Sequence, residues 1–197
     1  MNIKPSANVP AVSSKRSALR RLVTTAIVGC SLVLGVASAQ ADGGNTFNIK
    51  GTAAAGTVPV TGSGKFDAKF DGDKLKLTVK VKDQLDMGIR QKHTKENFKI
   101  GDGDLIKIEI DKSKLKLPEG GKETKGETSG TLTIGKKSGE LKGIKYTAKD
   151  SGGKYDITGS FSFDYTPYSG GKEVCLGGVA PCVAKILEIT AKGSVGK

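Results

Sequence analysis

Residues 64–82 read GKFDAKFDGDKLKLTVKVK. Phe66, Ala68 and Phe70 fall on one side of an extended chain. After the Asp-Gly-Asp break, Leu75, Leu77, Val79 and Val81 fall on one side, while Lys74, Lys76, Lys80 and Lys82 fall on the other. A period of two marks a strand with one face in a core and the other in water.

The pattern continues outward from that stretch. LIKIEI (105–110) adds Ile106, Ile108 and Ile110, TLTI (131–134) adds Leu132 and Ile134, and IKYTA (144–148) adds Ile144, Tyr146 and Ala148. YDITGSFSFDY (155–165) adds Tyr155, Ile157, Phe161, Phe163 and Tyr165, and a last strand runs from about Val183 to Lys192. After Ile110 the phase flips, because the next apolar positions are Leu115 and Leu117. That shift predicts a bulge or turn between Asp111 and Lys114. Residues 92–98 alone read as briefly helical. About eight strands result, and 28 glycines in 197 residues suit tight turns and sharply bent strands.

Eight antiparallel strands favour closure into an up-and-down barrel or a two-sheet sandwich, since closure removes edge strands. The interior of an eight-stranded barrel is filled by side chains or holds one small ligand. An outer-membrane barrel is not expected. Its lipid-facing side must be apolar with aromatic girdles, whereas several strands here carry lysine on one face and Trp is absent.

The N-terminus has the build of a secretory signal: Lys15, Arg16, Arg20 and Arg21, then LVTTAIVGCSLVLGVA, then the small-residue sites ASA and AQA. Cleavage is expected after Ala41, giving a signal peptide over 1–41 and one domain over 42–197, periplasmic or secreted. The apolar run of about 16 residues is short of the roughly 20 that span a bilayer as a helix. IVGC also resembles a lipoprotein cleavage box ending at Cys30, but cutting there would leave SLVLGVA exposed at the new terminus.

Residues 1–41 hold five basic side chains and no acids, so 32 − 5 = 27 basic and 20 acidic residues leave a net charge of +7 on residues 42–197. This evenly spread lysine reads as a solvated surface, open to peripheral contact with an anionic membrane. Nucleic acid is not expected, because such modules add arginine forks and stacking aromatics, and one Arg and ten scattered aromatics remain in that span. Two cysteines remain there, Cys175 and Cys182 in CLGGVAPC. An exported chain with an even count and a short Gly/Pro-rich loop predicts a disulfide.

One segment concentrates rare residues. LDMGIRQKHTKE (85–96) carries Met87, Arg90 and His93, each the only one of its kind in residues 42–197. Gly88 permits a sharp turn out of the barrel wall. Met87 and Ile89 are expected to face the apolar interior at the mouth, and Arg90 to offer a planar fork to a phosphate or polar headgroup with His93 beside it. The structural alternative pairs Arg90 with Asp83 or Asp86, caps a turn with His93 and fills a core gap with Met87. Catalysis is not expected. One His and one Arg stand near acids, but no metal-ligand cluster, nucleophile elbow or glycine-rich phosphate loop accompanies them. GDGD (101–104) lacks the carboxylates of a calcium loop and reads as a turn.

In order, GKFDAKFDGDKLKLTVKV, LDMGIRQKHTKENF, GTLTIGKKSGELKGIKYTA and YDITGSFSFDY resemble the YceI-like family of secreted bacterial proteins over Gly64–Tyr168. Arg90 with His93, and GTLTIG at 130–135, carry the resemblance most specifically. Gln91 and Thr94 stand where the family pattern has Asp and Leu.

The resemblance implies an all-β, eight-stranded antiparallel lipocalin-like barrel with one short helical segment near 92–98. It also implies a partner held in the lumen: a polyisoprenoid, an isoprenoid quinone or a similar amphiphile. No cofactor and no metal are expected. Alternation puts Phe66, Phe70, Leu77, Val79, Ile108, Ile110, Leu132, Ile134, Tyr146, Phe161 and Phe163 in that lumen. A secreted structural or protein-interaction barrel with a packed interior is the competing class, and interior volume discriminates the two.

Overall fold

The computed structural model describes residues 44–53, 56–175 and 182–197. The expected signal segment, residues 1–41, lies outside them. The elements in chain order are strands β1 (Thr46–Ala53), β2 (Val58–Lys65), β3 (Asp67–Asp71) and β4 (Lys74–Lys80), a single helical turn α1 (Val81–Gln84) and a two-residue strand β5 (Leu85–Asp86). A 3-10 turn at Gly88–Arg90 leads into helix α2 (Gln91–Phe98). Then follow β6 (Leu105–Asp111), β7 (Glu123–Ile134), β8 (Lys137–Asp150), β9 (Lys154–Asp164) and β10 (Ile186–Gly196).

All strands belong to one antiparallel sheet, ordered β3-β4-β6-β7-β8-β9-β10-β1-β2-β5. The ends of that order are covalently joined. β2 pairs with β1 over its whole length, the chain bends at Phe66, and β3 pairs with β4. Residues 58–71 therefore act as one bent strand that brings the curled sheet round on itself. Ten strands are counted where about eight were expected. β1, β2 and the stub β5, which pairs with Ser63 and Gly64 of β2, are the strands that alternation did not mark.

The local chemistry follows the residues. Gly72 (φ 58°) and Gly135 (φ 59°) open the two-residue turns of the β3–β4 and β7–β8 hairpins, a place that needs positive φ. The phase change after Ile110 is a 3-10 turn at Lys112–Lys114, as predicted. Leu115 and Leu117 form no strand. They lie under the far end of the barrel on a connection held by the Lys116 amide, which donates to the Tyr146 hydroxyl at 2.6 Å. β4 stops at Lys80, one residue before the buried Val81.

Inward side chains of the sheet make the main core, with Leu75, Ile110, Leu132, Ile134, Leu141 and Val195 among its buried members. A smaller cluster of Ala53, Val60, Tyr165 and Val183 sits under the Cys175–Cys182 disulfide segment. There the buried Tyr165 hydroxyl donates to the Val183 carbonyl at 2.8 Å and accepts the Val174 amide at 3.0 Å. Burial pushes the Tyr165 phenol up from its ordinary pKa. At the opposite end, buried Asp150 pairs with Lys197 at 2.6 Å and accepts the Gly152 amide at 3.1 Å.

Candidate functional site

The lumen contains two voids. The larger, about 140 Å³, is lined from every side of the barrel: Phe47 and Ile49 of β1, Leu77 and Val79 of β4, Ile106 and Ile108 of β6, Leu132 and Ile134 of β7, Phe161 and Phe163 of β9, and Leu187, Ile189 and Ala191 of β10, with Phe66 at the bend. Leu85, Met87, Thr94, Phe98 and Ile100 cover it. Thr94 is the one polar residue of this lining. A void of this size and lining resembles an engineered apolar cavity that stays dry and accepts benzene. The smaller void, about 60 Å³, lies toward Leu115, Leu117, Ile144, Tyr146 and Val195.

Among the described residues, no carboxylate, amine, guanidinium, imidazole or thiol lines either void. The walls can hold hydrocarbon; their polar groups are the hydroxyls of Thr94 in the larger void and of Thr128, Tyr146 and Ser194 in the smaller.

Helix α2 roofs the larger void. Its residues Thr94 and Phe98, four apart and therefore on one face, point into it. None of the eight side chains of α2 is fully buried. The helix is held at its start by Gln91, whose Oε1 accepts the Met87 amide at 3.0 Å and whose Nε2 donates to the Leu85 carbonyl at 3.0 Å and, more weakly, to the Val81 carbonyl at 3.5 Å. At its end Phe98 meets the Tyr165 ring edge-on at 5.9 Å, and Lys99 terminates it in the left-handed conformation (φ 53°) ahead of the buried Ile100.

Ten of the eleven side chains expected in the lumen line one void or the other: Phe66, Leu77, Val79, Ile108, Ile110, Leu132, Ile134, Tyr146, Phe161 and Phe163. Phe70 does not. It lies at the Asp150 end, edge-on to Tyr155 at 6.2 Å with the Lys112 amine 4.9 Å over its ring.

In the 85–96 segment, Met87 is buried and lines the larger void, as expected, but Ile89 is 93% exposed. The reason is Gly88 (φ 55°), whose amide is held by Asp86 Oδ1 at 2.7 Å and which turns the chain so that Ile89 faces water. Arg90 and His93 line neither void. His93 points outward beside Glu96, with Nδ1 to Oε2 at 3.5 Å. Arg90 forms no ion pair among the described residues, so the link to Asp83 or Asp86 that the structural alternative requires is not made. GDGD is a turn, with the Gly101 amide donating to Asp104 Oδ2 at 2.7 Å. Cys175 and Cys182 are joined as a disulfide.

Sequence reasoning overlooked Gln91, Thr94 and Phe98, and the linings from β1 and β10. The spacing of Thr94 and Phe98 within the helical stretch was the available signal.

No protein-family model matches the chain, and no curated protein matches it in sequence. Solved structures do match in fold. A polyisoprenoid binding domain from Saccharophagus degradans, implicated in plant cell wall breakdown, superposes with a TM-score of 0.59 at 10% identity, covering 76% of this chain and 92% of that one. BcnA from Burkholderia cenocepacia superposes with a TM-score of 0.54 at 18% identity, covering 76% of this chain and 95% of that one. At such identities the likeness is one of fold: an antiparallel, lipocalin-like curled sheet of the kind that the YceI-like resemblance implies.

Proposed function

We propose that this chain is a YceI-like carrier, exported from the cytoplasm, that holds the hydrocarbon of an isoprenoid-type lipid in its lumen and does no chemistry on it. The observation that carries this reading is the larger void, about 140 Å³ and walled almost wholly by apolar side chains from several strands of the barrel. A barrel evolved only to pack would fill such space, since interiors approach crystal density. The polyisoprenoid-binding neighbour of the same fold supports the choice of ligand class. The Cys175–Cys182 disulfide and the signal-like first 41 residues support an oxidising, extracytoplasmic setting.

Inside the larger void the ligand's polar end meets a single hydroxyl, that of Thr94, and no charged group. It stays at the α2 end, where Arg90, free of an ion pair among the described residues, is the cation offered to a headgroup. Access is by displacement of α2, none of whose side chains is fully buried.

The test is mass spectrometry of an organic extract of the protein purified from its own host, followed by titration of the stripped protein with prenols. A stoichiometric isoprenoid lipid is expected. A protein that is empty as isolated and binds no prenol would leave a structural barrel as the better description.

A further inference from the structure

Phe66, Leu77, Ile108, Phe161 and Ala191 line both voids. They come from the bend between β2 and β3 and from β4 and β6 on one side and β9 and β10 on another, so they reach into the lumen from more than one wall and narrow it as a partial belt. On one side lies the larger space under α2. On the other lies the smaller space, bounded by Leu115 and Leu117. The two aromatic side chains supply most of the belt's bulk, and Ala191 supplies least.

We propose that this belt, chiefly Phe66 and Phe161, divides the lumen into two chambers in series and sets the length of hydrocarbon the protein prefers. The inference rests on the carrier reading above. An isoprene unit has five carbons against the six of benzene, so the upper chamber takes about one or two units before a chain meets the belt. Each unit that fits removes apolar surface from water and raises affinity by at least about tenfold. Units beyond the belt find a lower chamber less than half as large and add little. Both chambers lack charge, so the end that advances toward the belt is the hydrocarbon end and the selection is by length alone.

The experiment titrates the full chain, stripped of lipid, with prenols of one to six isoprene units. It is repeated for Phe66→Leu and Phe161→Leu, which thin the belt while keeping an apolar side chain and so spare the fold better than alanine would. In the wild type, affinity should climb by at least about tenfold per unit and then flatten after the second unit, with less than about a twofold gain for each later one. In the leucine variants the flattening should move to chains at least one unit longer, whatever offset the substitution imposes on the affinity at every length.

A parallel measurement needs no lipid. Crystals under xenon pressure should show two separate xenon sites, one on each side of Phe66 and Phe161. Length profiles that coincide in wild type and both variants, or a single continuous xenon site in the wild type, would overturn the belt while leaving the carrier reading intact. Two xenon sites with no prenol bound at any length would instead overturn the carrier reading, and with it the selection by length.

Discussion

Replacing Gln91 by Leu tests the roof of the lumen. Leu keeps much of the side-chain volume but removes the acceptor of the Met87 amide and the donor to the Leu85 carbonyl, both at 3.0 Å; the 3.5 Å contact to the Val81 carbonyl is too long to count. At about 0.5–1.5 kcal/mol for each intramolecular hydrogen bond, the folded state loses about 1–3 kcal/mol relative to any state with α2 detached. That corresponds to about a fivefold to hundredfold larger open population.

Amide exchange along Gln91–Phe98 should accelerate by that factor, and the association rate of a fluorescent prenol, followed by stopped flow, should rise in step because the open state admits the ligand. Gln91→Glu is the control. Its carboxylate still accepts from Met87 but cannot donate to Leu85, so it should fall between wild type and the Leu variant. Exchange in α2 at the wild-type rate in Gln91→Leu, alongside a lowered Tm, would refute the clamp. Faster exchange with an unchanged association rate would refute α2 as the way in.

Arg90→Ala should weaken a polyprenyl phosphate by about tenfold or more, the loss of one charge-assisted contact, and leave a prenol of equal length unaffected by calorimetry. Asp156, which accepts the hydroxyls of Ser151 and Ser194, is held at a pKa of about 2 against an ordinary 3.8. A depressed carboxylate stabilises the fold above its unfolded value, so that contribution should be complete above about pH 5 and disappear between about pH 4 and pH 2. Urea midpoints should fall over this window in wild type and less in Asp156→Asn. Reducing Cys175–Cys182 opens an eight-residue loop and should cost about 2.5 kcal/mol in the chain-entropy account, read as a lower Tm. Prenol affinity should persist, because neither cysteine lines a void.

Although β1, with Phe47 and Ile49 inward, escaped notice, strands such as β4, β6 and β9 were legible from their alternating branched or aromatic side chains. β2 was not, because its inward positions after Val60 are Gly62 and Gly64. Glycine is required at 64, where a side chain would run into the Gln84 carbonyl and the Phe47 ring, while one at 62 would have to displace the Met87 thioether. The apolar groups that fill the space belong to other segments, so no alternation marks the strand. Leu115 and Leu117 misled in the opposite way, alternating like a strand while serving as the floor of the lower void.

At the mouth, extended-chain reasoning paired Ile89 with Met87, and the positive φ of Gly88 broke that pairing. Helical spacing then sent Thr94 and Phe98 inward and His93 outward, while Arg90 ends the 3-10 turn ahead of the helix and lines neither void.

The pairing of β1 with β10, Thr46 opposite Lys192, closes the ring across almost the whole described chain. During synthesis β1 has no partner on that side until β10 emerges, so a nascent chain carries two open sheet edges and a half-exposed apolar trough. Contacts this distant in sequence close slowly. The window in which this protein is most exposed to aggregation, or most available to a chaperone, therefore lasts until its last strand is made. Losing β10 would reopen the ring at both of its seams, with β1 and with β9, a larger defect than the loss of an ordinary terminal strand.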